Sequence, residues 1–521
     1  MAASPGPPGA KRARRAGGGG GGGALGGGEA PGGGSGGGGA RGEGRARWPG
    51  AFGRMQAWLE AEAAAGAGLL AGHLDVRGPG AGGAPGGHTV FAADARAAGE
   101  PLVRVPQSCV LHWGRVVEGG FGRRLEAVRQ NVVRAQPEAG RAALQVHEQT
   151  VLLLFMAAGR RDPACPWHAY FETMPGEPQH LLAWPADLLD AEFAGTHLAH
   201  ATEKERAELR AQYEALREGI EEGGEALPGA PPPGGGFPSW EDLLWAHGNY
   251  LSRRFHPGMA TGAPEGCEVP CLIPGLDMFN HRTGEKVTLE ADAEHAQIVC
   301  DAPVAAGTEI FINYGHKSNE ELLFAYGFCL RDNPLDLVTI QLACDGAGEV
   351  GAYRRQLLRA CGVPWKEAGV APPEETDGNP AKGGGGGGAP GGEGWLSVGP
   401  FFIRSQEMGG VPGELLSALA VCMVEAPGEE LQLTLDEVEG LKKKLESKLD
   451  ALKPRSAADS KLVGRCGGGG AREGGSEDRA GAVAVQRRRA AAIYRDGQRR
   501  VLQEAIQELE GLLDEEDGTG P

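Results

Sequence analysis

Three short stretches carry side chains that could do chemistry. Asn280 and His281 close an apolar segment, PGLDMFNH, so an amide and an imidazole stand beside buried chain and need hydrogen-bonding partners. Such a pair can serve a ligand, although a turn closed by an Asn is the commoner reason for one. Tyr314 ends the apolar run EIFINY just before Gly315. A phenol there can face a reacting group, or it can be a core tyrosine with its hydroxyl at the rim. Ser252-Arg253-Arg254-Phe255 closes a helical pattern, where an arginine can reach an anion or simply sit near a helix C-terminus. Singly, none of the three selects a reaction. The sequence has no P-loop, no G-x-G-x-x-G after a strand, no H-E-x-x-H and no G-x-S-x-G. Cys267 and Cys271 lack a second Cys/His pair at zinc spacing and read as ordinary thiols. Glu290, Asp292 and Glu294 read as the solvated face of a hairpin tip.

Elements must hold these groups in place. Residues 51–65 (AFGRMQAWLEAEAAA) are rich in helix formers, and a glycine-rich turn region follows. Residues 88–92 and 101–106 read as two strands. Residues 115–245 are mostly helical in pattern: VHEQTVLLLFMAAGR is strongly apolar, and 201–222 is charged. Ser239-Trp-Glu-Asp has the form of a capping box, which starts the helix running to Leu251. Residues 286–290 and 296–300 alternate like a hairpin, and 309–314 and 337–342 read as strands. Ser318 caps a helix, SNEELLFA. Beyond about 350 the pattern is helical throughout, at 352–361, 413–425, 435–452 and 486–513. Strands followed by helices make an α+β chain with a helical appendage.

Composition sets the outer bounds. Of 521 residues 90 are Gly, and 22 of these fall within residues 1–50, including the run from Gly17 to Gly23. Such tracts bury no side chain and cost the most backbone entropy to order, so they belong to tails and linkers. Setting aside 1–50, 223–236, 371–394 and 464–481 leaves roughly four hundred residues, enough for two or three domains. The net charge of -18 repels a nucleic-acid backbone over most of the surface, so no nucleic-acid partner is expected. Ten scattered cysteines do not form a disulfide framework, and the longest apolar run, 151–158, is far short of a membrane span. A soluble intracellular protein and no membrane partner are expected. The start MAASPGPPGAKRARR has features of both a transit peptide and a nuclear address, which leaves chloroplast, nucleus and cytoplasm open.

The order of the motifs is more telling than any one of them. GGHTVFAADARAAGEPLVRVP, then SRRF, then GLDMFNH, then GTEIFINYGHKSNEELLFAYGF resembles the SET-domain methyltransferases. The resemblance is to the branch typified by the plant Rubisco large-subunit lysine methyltransferase, which also includes the actin-histidine methyltransferase. It runs from about 86 to 341. It implies a SET fold of small curved β-sheets with a pseudoknot, a helical insertion at about 112–245, and an all-α C-terminal substrate-binding domain. The boundaries so implied are a tail at 1–50, a SET domain at 51–335 and a C-terminal domain at 336–515. AAIYRDGQRRVLQEAIQELEGLL resembles the closing helix of that last domain.

The implied cofactor is S-adenosylmethionine and the implied partner a protein substrate, with the enzyme a monomer. By the resemblance, Gly86, Gly87 and His88 meet the methionine end of the cofactor, and Arg253 pairs with its carboxylate. Asp277, Asn280 and His281 hold the adenine and amino group, Tyr314 is catalytic, and Tyr326, Gly327 and Phe328 line the substrate. His88 departs from the usual first glycine segment. The cysteine cluster that binds zinc after the core in many histone-type relatives is missing, as the C-terminal helices of this branch lead one to expect. The implied reaction attacks a sulfonium methyl with a neutral amine. A free lysine at pH 7 supplies that form in only about one molecule in a few thousand. A narrow aromatic channel, with Phe255 and Phe328 as walls, helps by desolvation. Phe255 offers no hydrogen bond to an imidazole, which favours a lysine of a non-histone protein over a histidine. A histidine methyltransferase of the same fold and a catalytically silent binding module are the alternatives.

Overall fold

The strands are short, and their apolar residues decide which face each one buries. The computed structural model describes residues 49–64, 74–78, 88–135, 144, 146–177, 179–194, 196–232, 236–368, 394–452, 456–464 and 476–517. The tail, Gly86, Gly87 and most of the glycine-rich stretches 371–394 and 464–481 lie outside the described residues. The chain divides between Gly44 and Arg45, and every described residue belongs to the second unit.

Helix Gly50–Ala64 leads into β1 (Leu74–Arg77), which pairs antiparallel with β2 (Thr89–Ala92). β3 (Pro101–Pro106) is followed by the helices of the insertion, the longest being Gly120–Arg134, Glu148–Gly159, His197–Gly223 and Trp240–Arg253. Glu148–Gly159 is buried along most of its length, as its apolar run requires. β4 (Arg254–Phe255) pairs antiparallel with β5 (Cys271–Leu272), and β6 (Asn280–His281) follows. β7 (Val287–Ala291) and β8 (His295–Cys300) form the expected hairpin, with β8 between β3 and β7. In β8, Ala296, Ile298 and Cys300 are buried and alternate with partly exposed residues, the period-2 pattern of a half-buried strand. β9 (Phe311–Ile312) runs parallel to β6, matching Asn280 with Phe311 and His281 with Ile312. A parallel pair needs a crossover, and the β7–β8 hairpin is part of it. This pairing lays the Asn280-His281 segment beside the one that leads to Tyr314.

Three expectations need correction. The glycine-rich turn region contains β1, four residues whose strand character comes from pairing with β2. The strand read at 309–314 shrinks to β9, with Glu309 making only a bridge to Phe91. Beyond 336 the expected helices are present (Gly348–Ala360, Gly413–Met423, Leu435–Leu452, Ser456–Gly464, Ser476–Asp517), but the region also holds a sheet. β10 (Leu337–Asp345), β11 (Trp365–Ala368) and β12 (Trp395–Arg404) form it, with β12 central. Leu396 and Val398 face one core, and Phe401 and Ile403 resume that facing after Gly399-Pro400 has shifted the alternation by one residue. That shift masks the strand in the sequence.

Two hydrophobic cores result. The first joins Gly50–Ala64, the insertion and the strands before β10 other than β6; the second joins the β10–β12 sheet with the later helices. Helix Ser476–Asp517 enters both, giving Ala490, Ala491 and Tyr494 to the first and Val501, Leu502, Ala505, Ile506 and Leu509 to the second. Where it passes between them, Arg495 binds Asp459 (2.5 and 3.0 Å) and Glu192 (2.8 Å), and Arg499 binds Asp459 at 3.0 Å. No described helix is long and apolar enough to cross a membrane.

Candidate active site

Helix Trp240–Arg253 starts at the capping box foreseen at Ser239 and Asp242, both halves of which form. It ends by delivering Arg253 to the interior, 10% exposed, against Asp277, 1% exposed. Arg253 Nη1 donates to Asp277 Oδ2 at 3.1 Å and to the Asp277 carbonyl at 3.3 Å. Two further donors hold the same carboxylate: Tyr170 Oη at 2.8 Å on Oδ2, and the backbone N–H of Gly275 at 3.2 Å on Oδ1. Gly275 can make that turn because its φ is +90°. Burial and the charge of Asp277 push the Tyr170 phenol far above its usual pKa, so it stays a donor. Burial, the largest single influence, would lower the pKa of Arg253, but Asp277 and the neighbouring Tyr170 and Tyr314 together raise it and the cation persists.

The β6–β9 pair brings the remaining motifs together. Asn280 Nδ2 donates to Glu309 Oε1 at 3.1 Å and to the His88 carbonyl at 3.4 Å. The Tyr314 N–H donates to His281 Nδ1 at 3.1 Å, and the two rings stack with centroids 5.0 Å apart. Tyr314 stacks on Tyr326 at 4.8 Å, Tyr326 meets Phe328 edge-on at 6.0 Å, and Phe328 lies 6.4 Å from His281. Four rings thus form one aromatic cluster. The Tyr314 hydroxyl donates to the Phe279 carbonyl at 2.7 Å. Burial first, then Tyr326, raise its pKa, with Arg253 opposing, so it is a phenol at neutral pH. Burial lowers the pKa of His281. His88 falls to about 4 through burial and the charge of Arg253.

Helix Asn319–Tyr326 places the outer half of the cluster. Ser318 and Glu321 form its capping box, and Gly327 ends it in the left-handed conformation at φ +75°. A Cβ at Gly327 would also run into the Gln179 carbonyl, so the residue before Phe328 must be glycine on two counts. Phe255 lies in β4 opposite Cys271, half-buried, and no ring contact joins it to the cluster among the described residues. The structure therefore gathers His88, Arg253, Asp277, Asn280, His281, Tyr314, Tyr326, Gly327 and Phe328; it sets Phe255 to one side. Gly86 and Gly87 fall outside the described residues.

Sequence reasoning missed Tyr170 and Glu309, each of which meets its partner only through the tertiary fold. It also missed Phe52, whose ring lies 4.5 Å from that of His88. Two buried nitrogens in this group have no partner among the described residues: Arg253 Nε and His88 Nε2. Elsewhere a cavity of about 440 Å³ is lined by Trp113, Glu148, Glu265 and Glu268 among others, and none of the gathered residues borders it.

No family model matches the chain. Curated relatives do. They include the ribosomal lysine N-methyltransferase set10 of Schizosaccharomyces pombe, 36% identical over 122 residues, which is 23% of this chain and 22% of that protein. The N-lysine methyltransferase SETD6 of Homo sapiens is 27% identical over 280 residues, 49% of this chain and 51% of its own. The actin-histidine N-methyltransferase of Canis lupus familiaris is 26% identical over 223 residues, 42% and 37% of the two chains. The chain thus spans about half the length, or less, of these relatives. Among solved structures, Rubisco LSMT bound to AdoMet superposes with a TM-score of 0.61 at 18% identity, covering 90% of this chain and 94% of that one. The SET domain of LSMT bound to lysine and AdoHcy gives 0.60 at 17%, covering 89% and 90%. The chain has the SET fold in the form seen in Rubisco LSMT, and its relatives in sequence are SET-domain methyltransferases of that branch.

Proposed function

We propose that the protein is an S-adenosylmethionine-dependent protein-lysine N-methyltransferase acting on a non-histone protein. The observation that carries this reading is the aromatic cluster of His281, Tyr314, Tyr326 and Phe328 beside the buried cation Arg253, whose Nε has no partner among the described residues. The residues fit the cofactor. A buried guanidinium with a free edge suits a carboxylate, and Asn280, His88 and Glu309 add polar groups around it. In this reading Gly86, Gly87, His88, Arg253, Asp277, Asn280 and His281 hold the cofactor, Tyr314 is catalytic, and Tyr326, Gly327 and Phe328 line the substrate.

S-adenosylmethionine, when bound, supplies an electrophilic methyl. The chain's own work is to present a neutral amine to it in line. Aromatic walls desolvate an entering ammonium and so favour loss of its proton. Because Tyr314 donates its proton to the Phe279 carbonyl, its oxygen is left to accept from a group arriving in the cluster. Rings packed on both sides hold that oxygen still, so the rate gain is one of orientation and prearranged dipoles. The relatives named for lysine support a lysine target.

The test is transfer of label from tritiated S-adenosylmethionine to proteins of a cell extract, followed by mass spectrometry of the labelled peptide. Methyl on a lysine Nζ, lost with Tyr314→Phe, is the expected result. Methyl on an imidazole nitrogen would replace lysine by histidine, and no labelling in any extract would overturn the reading.

A further inference from the structure

We infer that Tyr170, from the helical insertion, is a positioning residue that sets which edge of Arg253 faces the cofactor's carboxylate. The inference rests on the proposed function. A carboxylate beside a guanidinium tends to take two prongs of the fork at once. Asp277 does not. Its Oδ1 is engaged by the Gly275 N–H at 3.2 Å, and its Oδ2 is shared between Tyr170 Oη at 2.8 Å and Arg253 Nη1 at 3.1 Å. The second bond from Nη1 goes to the Asp277 carbonyl at 3.3 Å. Asp277 thus holds Arg253 by one nitrogen alone.

A guanidinium presents one two-pronged edge through Nε and Nη2, and contacts at Nη1 leave that edge intact. Arg253 Nε is buried without a partner among the described residues, as an edge kept for an anion requires. The charge of Arg253 is felt by both His88 and Tyr314, so the edge belongs to the same site. Without the Tyr170 hydroxyl, Oδ2 would be open to a second guanidinium nitrogen, and Arg253 would turn toward Asp277. Tyr170 is wholly buried and packs beside Phe171, so its hydroxyl is fixed in place.

The test compares two ligands by calorimetry on the full chain. S-adenosylhomocysteine carries the carboxylate; 5′-methylthioadenosine keeps the nucleoside and thioether without it. Tyr170→Phe is expected to weaken S-adenosylhomocysteine roughly tenfold and to leave 5′-methylthioadenosine unchanged. In turnover, KM for S-adenosylmethionine should rise by a similar factor with kcat kept. Tyr170→Leu, which removes the hydroxyl with the ring, should show the same selectivity and serves if Phe at 170 does not fold. Equal weakening of both ligands marks a merely structural tyrosine and overturns the inference, as does no change in either. A wild-type chain that binds neither ligand overturns the function reading as well, which separates the two failures.

Discussion

At the scale of single residues, the site depends on which protons stay where they are. Tyr314 is held as a phenol and spends its proton on Phe279. Tyr314→Phe should lower kcat about 100-fold, the usual cost of one preorganised polar group, with cofactor affinity within a factor of a few; single-turnover kinetics and calorimetry measure the two. Histidines give the second prediction. His88 and His112 fall to about 4 and His247 to about 3, with burial the first cause of each, and burial holds His180 low as well. Between these values and the unfolded value near 6.5, the unfolded chain binds more protons than the native one. Stability therefore rises with pH across that window and is lost on acidification. His281 is lowered too, and Asp336, raised to about 6 by burial, works the other way but is one group against five. Urea midpoints should fall steadily from pH 7 to pH 4.5. The residues legible in advance, Tyr314, His281, Asn280 and Arg253, sit in recognisable local motifs. Tyr170 does not: its partner Asp277 is brought to it only by the fold.

At the scale of elements, local signals were readable and long-range ones were not. The caps at Ser239 and Ser318 announce themselves because both halves of a capping box lie within four residues. The β7–β8 hairpin is visible as alternation. β12 is hidden by the shift at Gly399-Pro400, and β1 by being four residues long amid glycine. The Ser318 cap has a functional reach, because the helix it starts carries Tyr326 at its other end. Ser318→Ala should cost about 1 kcal/mol in thermal unfolding. On the proposed function it should also raise KM for the protein substrate more than it lowers kcat, since the segment the cap orders would line the substrate while Tyr314 stays in place. Steady-state kinetics at saturating cofactor would show an unchanged KM if the helix end were indifferent to its start.

For the whole molecule, the question is what keeps the catalytic half and the C-terminal half in register. Arg495 and Arg499 are buried, and Asp459 is the acid they share. Asp459→Ala leaves Arg495 with Glu192 alone and deprives Arg499 of its buried carboxylate, and should destabilise by about 3 kcal/mol, read from urea midpoints; a loss below about 1 kcal/mol would mean that water reaches the cluster. Tyr494 adds a hydrogen bond to Glu320 at 3.0 Å, tying the long helix to the one that carries Tyr326. That helix has a further consequence, for the order in which the chain can fold as it is made. Among the described residues no buried member of the first core lies between Phe324 and Ala490, so this core lacks its last members while most of the second core is being synthesised. The usual sequence, in which an N-terminal domain closes before its successor emerges, is denied to it. The first core is therefore completed late, when the closing helix brings in Ala490, Ala491 and Tyr494 and joins the two cores.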